Sequence, residues 1–194
     1  MTPPLCECCG REVGHGPRCQ DCARDRPGIH GIRAAARYDG AVRLAIHRLK
    51  YNGHRAMAQP LAGFLEPVVG QLPPATVLAP LPLHPKRERQ RGYNQARLLA
   101  DHLGRRLGLP VVDAAARVRE TGEQVGRSRA ERQTNVKGAF VCADPGLVAG
   151  QTVLLIDDVC TTGSTLFACA TPLLRAGAAQ VWGLVVARQD QGRT

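Results

Sequence analysis

Along most of this chain short aliphatic runs alternate with amphipathic stretches, and the first 27 residues share neither pattern. Residues 34–51 begin extended and then read as a helix, with Val42, Ala45, Ile46 and Leu49 on one face. A second helix is expected over 55–71, carrying Leu61, Phe64, Leu65, Val68 and Val69, with Pro60 and Pro67 limiting or kinking it. The run TVLAPLPL (76–83) reads as a buried strand that opens into the loop HPKRERQRGYN. A helix over about 94–107 follows, stopped by Gly108 and Pro110. Residues 110–118 suggest a further strand, 119–137 are polar, and 138–143 make a short strand. TVLLID (152–157) is the strongest strand, a helix runs from near Ser164 to a C-cap at Gly177, and QVWGLVVA (180–187) closes the series. Apolar strands alternating with helices predict an α/β fold with a parallel, Rossmann-like sheet covered on both faces.

Composition sharpens this picture. A length of 194 residues accommodates one α/β domain of roughly 150 residues and a small appendage. With 44% apolar but only 4% aromatic residues, the core is expected to be aliphatic. No apolar run approaches the ~18–20 residues that cross a membrane. The start MTPPLCECCG lacks the charged and apolar regions of a signal peptide, so a cytoplasmic location is expected. The net charge is +10, and residues 84–137 hold 13 Lys or Arg against 6 Asp or Glu, +7 of that total. Such a segment suits a polyanion, either nucleic acid or a small multiphosphate.

Five of the eight cysteines fall within the first 22 residues. A segment so short of aliphatic residues cannot fold by burial alone, and in a cytosolic chain this clustering favours metal over disulfides. Cys6-x-x-Cys9 and Cys19-x-x-Cys22 form two knuckles suited to a structural, tetrahedral Zn²⁺, with an Fe–S cluster as the lesser competitor. Cys8 is ambiguous and His15 is a possible substitute ligand. The expected organisation is a zinc finger over 1–27, a helical connecting or hood region over 28–72, and an α/β domain over 73–194.

The chemistry concentrates in LLIDDVCTTGST (154–165). A buried strand ends in two carboxylates, and a Thr/Gly/Ser turn then feeds a helix N-terminus. Ligands of open parallel sheets bind off the carboxyl ends of the strands, where this turn lies. Thr161, Thr162, Gly163, Ser164 and Thr165 offer amides, hydroxyls and a helix dipole to a phosphate, while Asp157 and Asp158 accept from a sugar diol and offer a route to Mg²⁺. Phosphate and diol together describe a ribose 5-phosphate. The same residue types also cap helices, but capping needs one of them rather than a run. A Walker-type site is excluded, since no Gly-x-x-x-x-Gly-Lys-Ser/Thr is present.

The segment resembles the 5-phosphoribosyl-1-pyrophosphate (PRPP) motif of type I phosphoribosyltransferases. With the two knuckles, Leu49-Lys50-Tyr51, Pro80-Leu81-Pro82-Leu83, Arg91-Gly92-Tyr93-Asn94-Gln95, Arg117, Arg119, Thr121, Gln124, Arg132, Asn135 and Gly138-Ala139-Phe140, the chain resembles the ComF family: a four-cysteine zinc finger fused to a type I phosphoribosyltransferase fold. Tyr93 stands where Phe is more usual. The resemblance implies a pyrophosphate loop at Pro82, Leu83, His84 and Lys86, and catalytic roles for Arg87, Arg91, Arg119 and Arg132, the last two on a mobile loop over 119–137. It further implies a part in DNA uptake during natural transformation, with single-stranded DNA and a competence DNA helicase as partners.

Two readings of the chemistry stand side by side. One is a PRPP-binding adaptor in DNA handling, the other an active transferase with an unidentified acceptor. A vestigial pocket on a purely structural DNA-binding protein sits poorly with an intact motif. The last strand is followed by only seven residues, so the acceptor wall falls by expectation to 34–72, whose aromatics are Tyr38, Tyr51 and Phe64.

Overall fold

The computed structural model describes residues 4–24, 28–51, 53–120 and 136–189. Its strands are β1 (Gly31–Arg37), β2 (Val77–Pro80), β3 (Ala115–Arg117), β4 (Phe140–Cys142), β5 (Thr152–Cys160) and β6 (Gln180–Arg188). Its helices are α1 (Gln20–Arg24), α2 (Gly40–Tyr51), α3 (Ala58–Val69), α4 (Pro85–Arg91), α5 (Gln95–Leu107) and α6 (Ser164–Arg175). Four strands form one wholly parallel sheet in the order β1-β6-β5-β2. The α/β architecture and parallel sheet expected from the pattern are therefore present.

Alternation along β5 divides the core. Val153 and Leu155 join a layer with Leu166, Ala170 and Leu173 of α6, all buried. Leu154 and Ile156 point the other way, onto Ile46 and Leu49 of α2, Leu61 and Leu65 of α3, and Leu99 and Leu103 of α5. A strand covered on both faces needs this unbroken apolar run, which is what made it legible.

Other expectations change in detail. β2 is shorter than 76–83 because Pro80 and Pro82 lack the amide hydrogen a ladder requires, although Leu81 N–H still donates to the Ile156 carbonyl at 2.9 Å. Of the strand expected over 110–118, only a bridge between Val111 and Leu78 joins the main sheet, while β3 pairs antiparallel with β4 in a separate ribbon. The segment read as a loop after β2 contains α4. His84 caps it by accepting from Lys86 N–H at 3.3 Å, Pro85 opens it, and Gly92 closes it at φ 78°. Periodicity missed this helix because none of its residues is buried. Pro60 lies in the first turn of α3, where an amide has no intrahelical acceptor and its loss costs least, whereas Pro67 removes a bond to the Gly63 carbonyl and the helix ends two residues after it.

The N-terminal segment seats directly on β1. Ile32 N–H donates to the Cys8 carbonyl at 2.8 Å. Gly10 sits at φ 70°, and a Cβ there would lie 2.4 Å from the Ile32 carbonyl oxygen, so only glycine permits the approach. No described helix is long and apolar enough to cross a membrane.

Candidate functional site: a cationic cavity at the strand ends and a four-thiol cluster

The carboxyl ends of β2 and β5 open into a cavity of about 780 Å³. Its floor is the turn from β5 into α6. Asp157, Asp158 and the whole of Thr161–Thr165 line it. Within the turn, Thr162 and Ser164 share a hydrogen bond at 2.8 Å, and Ser164 N–H donates to Thr162 Oγ1 at 3.3 Å. Their hydroxyls thus fix the loop, while Thr161 and Thr165 remain half-buried at its surface. Gly163, at φ 83°, admits no side chain, since a Cβ would stand 2.9 Å from Ile32 Cδ1 and from Phe167 Cζ. The backbone of the turn is in this way held by packing as well as by hydrogen bonds.

The two carboxylates occupy different settings. Asp158 is 2% exposed and takes Lys50 Nζ of α2 on Oδ1 at 2.9 Å. Its Oδ2 is buried with no hydrogen-bond partner among the described residues, an unused acceptor beside the cavity. Burial lowers Lys50, but the facing Asp158 and Asp157 outweigh it and keep the ammonium charged. Asp157 receives Asp158 N–H on Oδ1 at 2.8 Å. Burial, together with the Asp158 charge beside it, pushes Asp157 up to about 8. Burial and then Arg87 hold Arg117 below its ordinary value, opposed by Asp157, and its guanidinium stacks over Phe140 at 5.4 Å. Arg43, Lys50, Arg87, Arg91 and Arg117 face two acids in this cavity, which suits a multiply charged anion.

Of the other residues singled out by sequence, Pro82, Leu83, Arg87 and Arg91 line the cavity. His84 is spent on capping α4, and Lys86 pairs with Glu120 at 3.2 Å, so neither is among the lining residues. Arg119 donates to the Lys137 carbonyl at 2.7 Å and is not in the lining either. Arg132 lies outside the described residues, as do Thr121, Gln124 and Asn135.

The wall opposite the loop was not foreseen as a unit. Arg43, His47, Lys50 and Tyr51 recur at helical spacing, so one face of α2 looks into the cavity, joined by Tyr38 and Gln189. Tyr51 is 67% exposed, with the His47 ring 4.8 Å away and the Arg91 guanidinium 5.5 Å from its ring centroid. Phe64 stays exposed on α3, away from this lining. Tyr93, in place of the usual Phe, acquires a use: its hydroxyl donates to the Leu49 carbonyl in the last turn of α2, beside Lys50. Polar residues on a largely exposed helix carry no periodic signal that names the face turned inward, which is why only the fold reveals this wall.

The cysteines assemble as the spacing requires. The Sγ atoms of Cys6, Cys9, Cys19 and Cys22 lie within 4.8 Å of one another, and Cys9 and Cys19 are 3.7 Å apart. Four sulfurs at ~2.3 Å from a tetrahedral centre would stand roughly 3.8 Å apart, so the cluster fits a metal ion. Cys19 N–H donates to Cys6 Sγ at 3.4 Å, the kind of amide contact that supports a thiolate ligand. Cys22 hydrogen-bonds the Cys9 sulfur and holds that thiol well below its usual range. Cys8 is buried but outside the group, contributing its carbonyl to β1, and His15 is exposed outside it too. In the ligand turn itself, Cys160 is buried and burial pushes its thiol up to about 11, so it serves as a small apolar side chain.

Residues 91–194 match the phosphoribosyl transferase domain family. Competence protein F of Haemophilus influenzae is 33% identical over 192 residues, covering 93% of this chain and 84% of that protein. DNA utilization protein YhgH of Salmonella typhi is 35% identical over 190 residues, covering 93% and 83%. Among solved structures, the glutamine PRPP amidotransferase of B. subtilis complexed with ADP and GMP aligns with a TM-score of 0.44 at 21% identity, over 66% of this chain and 26% of that one.

Proposed function

This chain belongs to the ComF family of proteins with a phosphoribosyl transferase domain, and from that premise we propose that it binds PRPP and acts in the handling of DNA taken up by the cell. The observation that carries the reading is the buried Asp158 Oδ2, without a hydrogen-bond partner among the described residues at the floor of a cavity that five cations line. In the proposed complex the turn Thr161–Thr165 holds the 5-phosphate, Asp157 and Asp158 accept from the ribose hydroxyls, and Arg87, Arg91 and Arg117 face the pyrophosphate beside Pro82 and Leu83. Arg119, His84 and Lys86 reach the ligand only if their segments rearrange around it, and Arg132, outside the described residues, is proposed to act on the same ligand. Mg²⁺ would be held by the pyrophosphate with Asp157 or Asp158 and would neutralise the leaving oxygens. Zn²⁺ is the proposed occupant of the four thiols, with a structural role. Single-stranded DNA is the proposed nucleic-acid contact, supported by the basic excess of residues 84–137 and the exposed Tyr51 beside Arg91. A competence helicase is the proposed protein partner, as the family resemblance implies; the relatives' printed names support only a role in competence and DNA utilization.

Calorimetry with PRPP and Mg²⁺ tests the site. The Asp157→Ala/Asp158→Ala double variant is expected to lose at least about 100-fold in affinity, two charge-linked contacts being removed. Equal affinity of the two proteins would falsify the reading. A second reading, an active transferase, is favoured by the α2 wall, because Tyr38, His47 and Tyr51 exceed what a phosphoribosyl donor needs and offer ring faces to a base. Pyrophosphate release from PRPP, followed with bases, nucleotides and single-stranded DNA as acceptors, separates a transferase from an adaptor.

A further inference from the structure

The seam between the thiol cluster and the ligand turn is built around one buried cation. Arg188 ends β6, in register with Cys160 at the end of β5, and is 6% exposed. Its Nη1 donates to the Cys9 carbonyl and to Cys160 Sγ at 3.4 Å, and its Nη2 donates to the Thr161 carbonyl at 3.3 Å. One guanidinium therefore grips the backbone of a thiol-cluster residue and the first residue of the phosphate turn. The guanidinium is a rigid planar fork, so displacing one side strains or breaks the bonds on the other. Buried carbonyls deprived of their donor cost free energy, which opposes such a break. Four thiolates around a divalent ion also carry net negative charge, and Arg188 is placed to balance it.

Apolar contacts run along the same seam. Ile32, whose amide is bonded to Cys8, fills the space beside Gly163 that a Cβ would need. Phe167 of α6 packs both on the cysteine cluster and against Gly163. The phosphate turn thus rests on the cysteine segment through hydrogen bonds and through packing.

We propose that Arg188 is a positioning residue that couples the two sites, so that metal in the four-thiol cluster and PRPP on the turn each tighten the binding of the other. The proposal rests on the PRPP reading of the turn. Coupling of this kind is reciprocal by thermodynamic necessity, which supplies a test needing no substitution. The zinc affinity of the intact protein, measured at equilibrium by competition with a zinc-selective chelator, should rise severalfold when PRPP and Mg²⁺ are saturating. Arg188→Met, which keeps bulk and removes the three bonds, should retain one zinc per chain, bind PRPP roughly tenfold more weakly, and hold zinc with an affinity indifferent to PRPP. Unchanged PRPP affinity in Arg188→Met, or a wild-type zinc affinity that ignores bound PRPP, overturns the coupling. Should Arg188→Met fail to fold, the wild-type zinc affinities decide alone. If calorimetry finds no PRPP binding to the wild type, the reading of the turn itself fails and the coupling falls with it.

Discussion

The cysteine segment and the sheet solve one problem in opposite ways. The sheet's two cores are aliphatic layers in which Ile32, Leu154, Leu155, Ile156, Leu166 and Leu173 are at most 2% exposed. Each such side chain contributes about 1.5–3 kcal/mol of burial. The N-terminal cluster consists of Cys6, Cys8, Cys9, Val13 and Cys22, with Cys19 and Phe167 against it, so it has almost nothing to bury. Hydrogen bonds from Ile32 and Arg188 and the Phe167 ring seat it on the sheet, and the remaining order is expected from metal coordination by the four thiols. The difference teaches where each site's precision comes from: the sheet supplies a rigid strand end for Asp157 and Asp158, and the thiol cluster supplies a second, chemically removable support beneath the same turn.

Stripping the metal should give the largest effect that separates the two regions. Structural Zn²⁺ in small fingers is worth roughly 10–16 kcal/mol of apparent folding free energy, so chelation should release residues 4–24 to rapid amide exchange. The strands β2, β5 and β6 should stay protected, being held by burial alone. Loss of protection across the whole sheet on chelation would break the comparison.

The converse substitution, Leu155→Ala at the centre of β5, should cost about 2–5 kcal/mol in denaturant unfolding through lost burial and a residual cavity. Metal content of the folded protein should remain unchanged. A variant of wild-type stability would show that the core tolerates collapse at this layer.

The smallest effect is a pH slope. Asp157 is held at about 8 against an ordinary 3.8, so its protonated form favours the folded chain. That stability is fully present below pH 3.8 and is lost as pH rises through about 8, at no more than about 1.4 kcal/mol per pH unit. Denaturant midpoints between pH 5 and 8.5 should therefore decline more steeply for wild type than for Asp157→Asn. Parallel profiles would place the titration elsewhere.

Much of this could be read from the residues. LLIDDVCTTGST declared strand, turn and helix at once, because an apolar run, paired acids and a Thr/Gly/Ser turn are each local requirements. The two Cys-x-x-Cys pairs named the four thiols for the same reason, and the structure chose them over Cys8 and His15. By contrast α4 escaped notice, since its caps are local but it has no buried face to announce it.

What the sequence determined by itself, then, is what neighbouring residues carry: the Thr/Gly/Ser turn after β5, the acid pair, the four clustered thiols and the parallel α/β alternation. What only the tertiary structure decided is which distant groups meet them. Lys50 reaches Asp158 because α2 packs across the end of β5, and Tyr93 fixes Leu49 beside it from another helix. Arg188 meets Cys9 across 179 residues because β1 and β6 are neighbours in the sheet. No periodicity or spacing encodes such pairings. They follow from strand order and from the free energy of packing the whole core, a property of the folded chain rather than of any stretch of it.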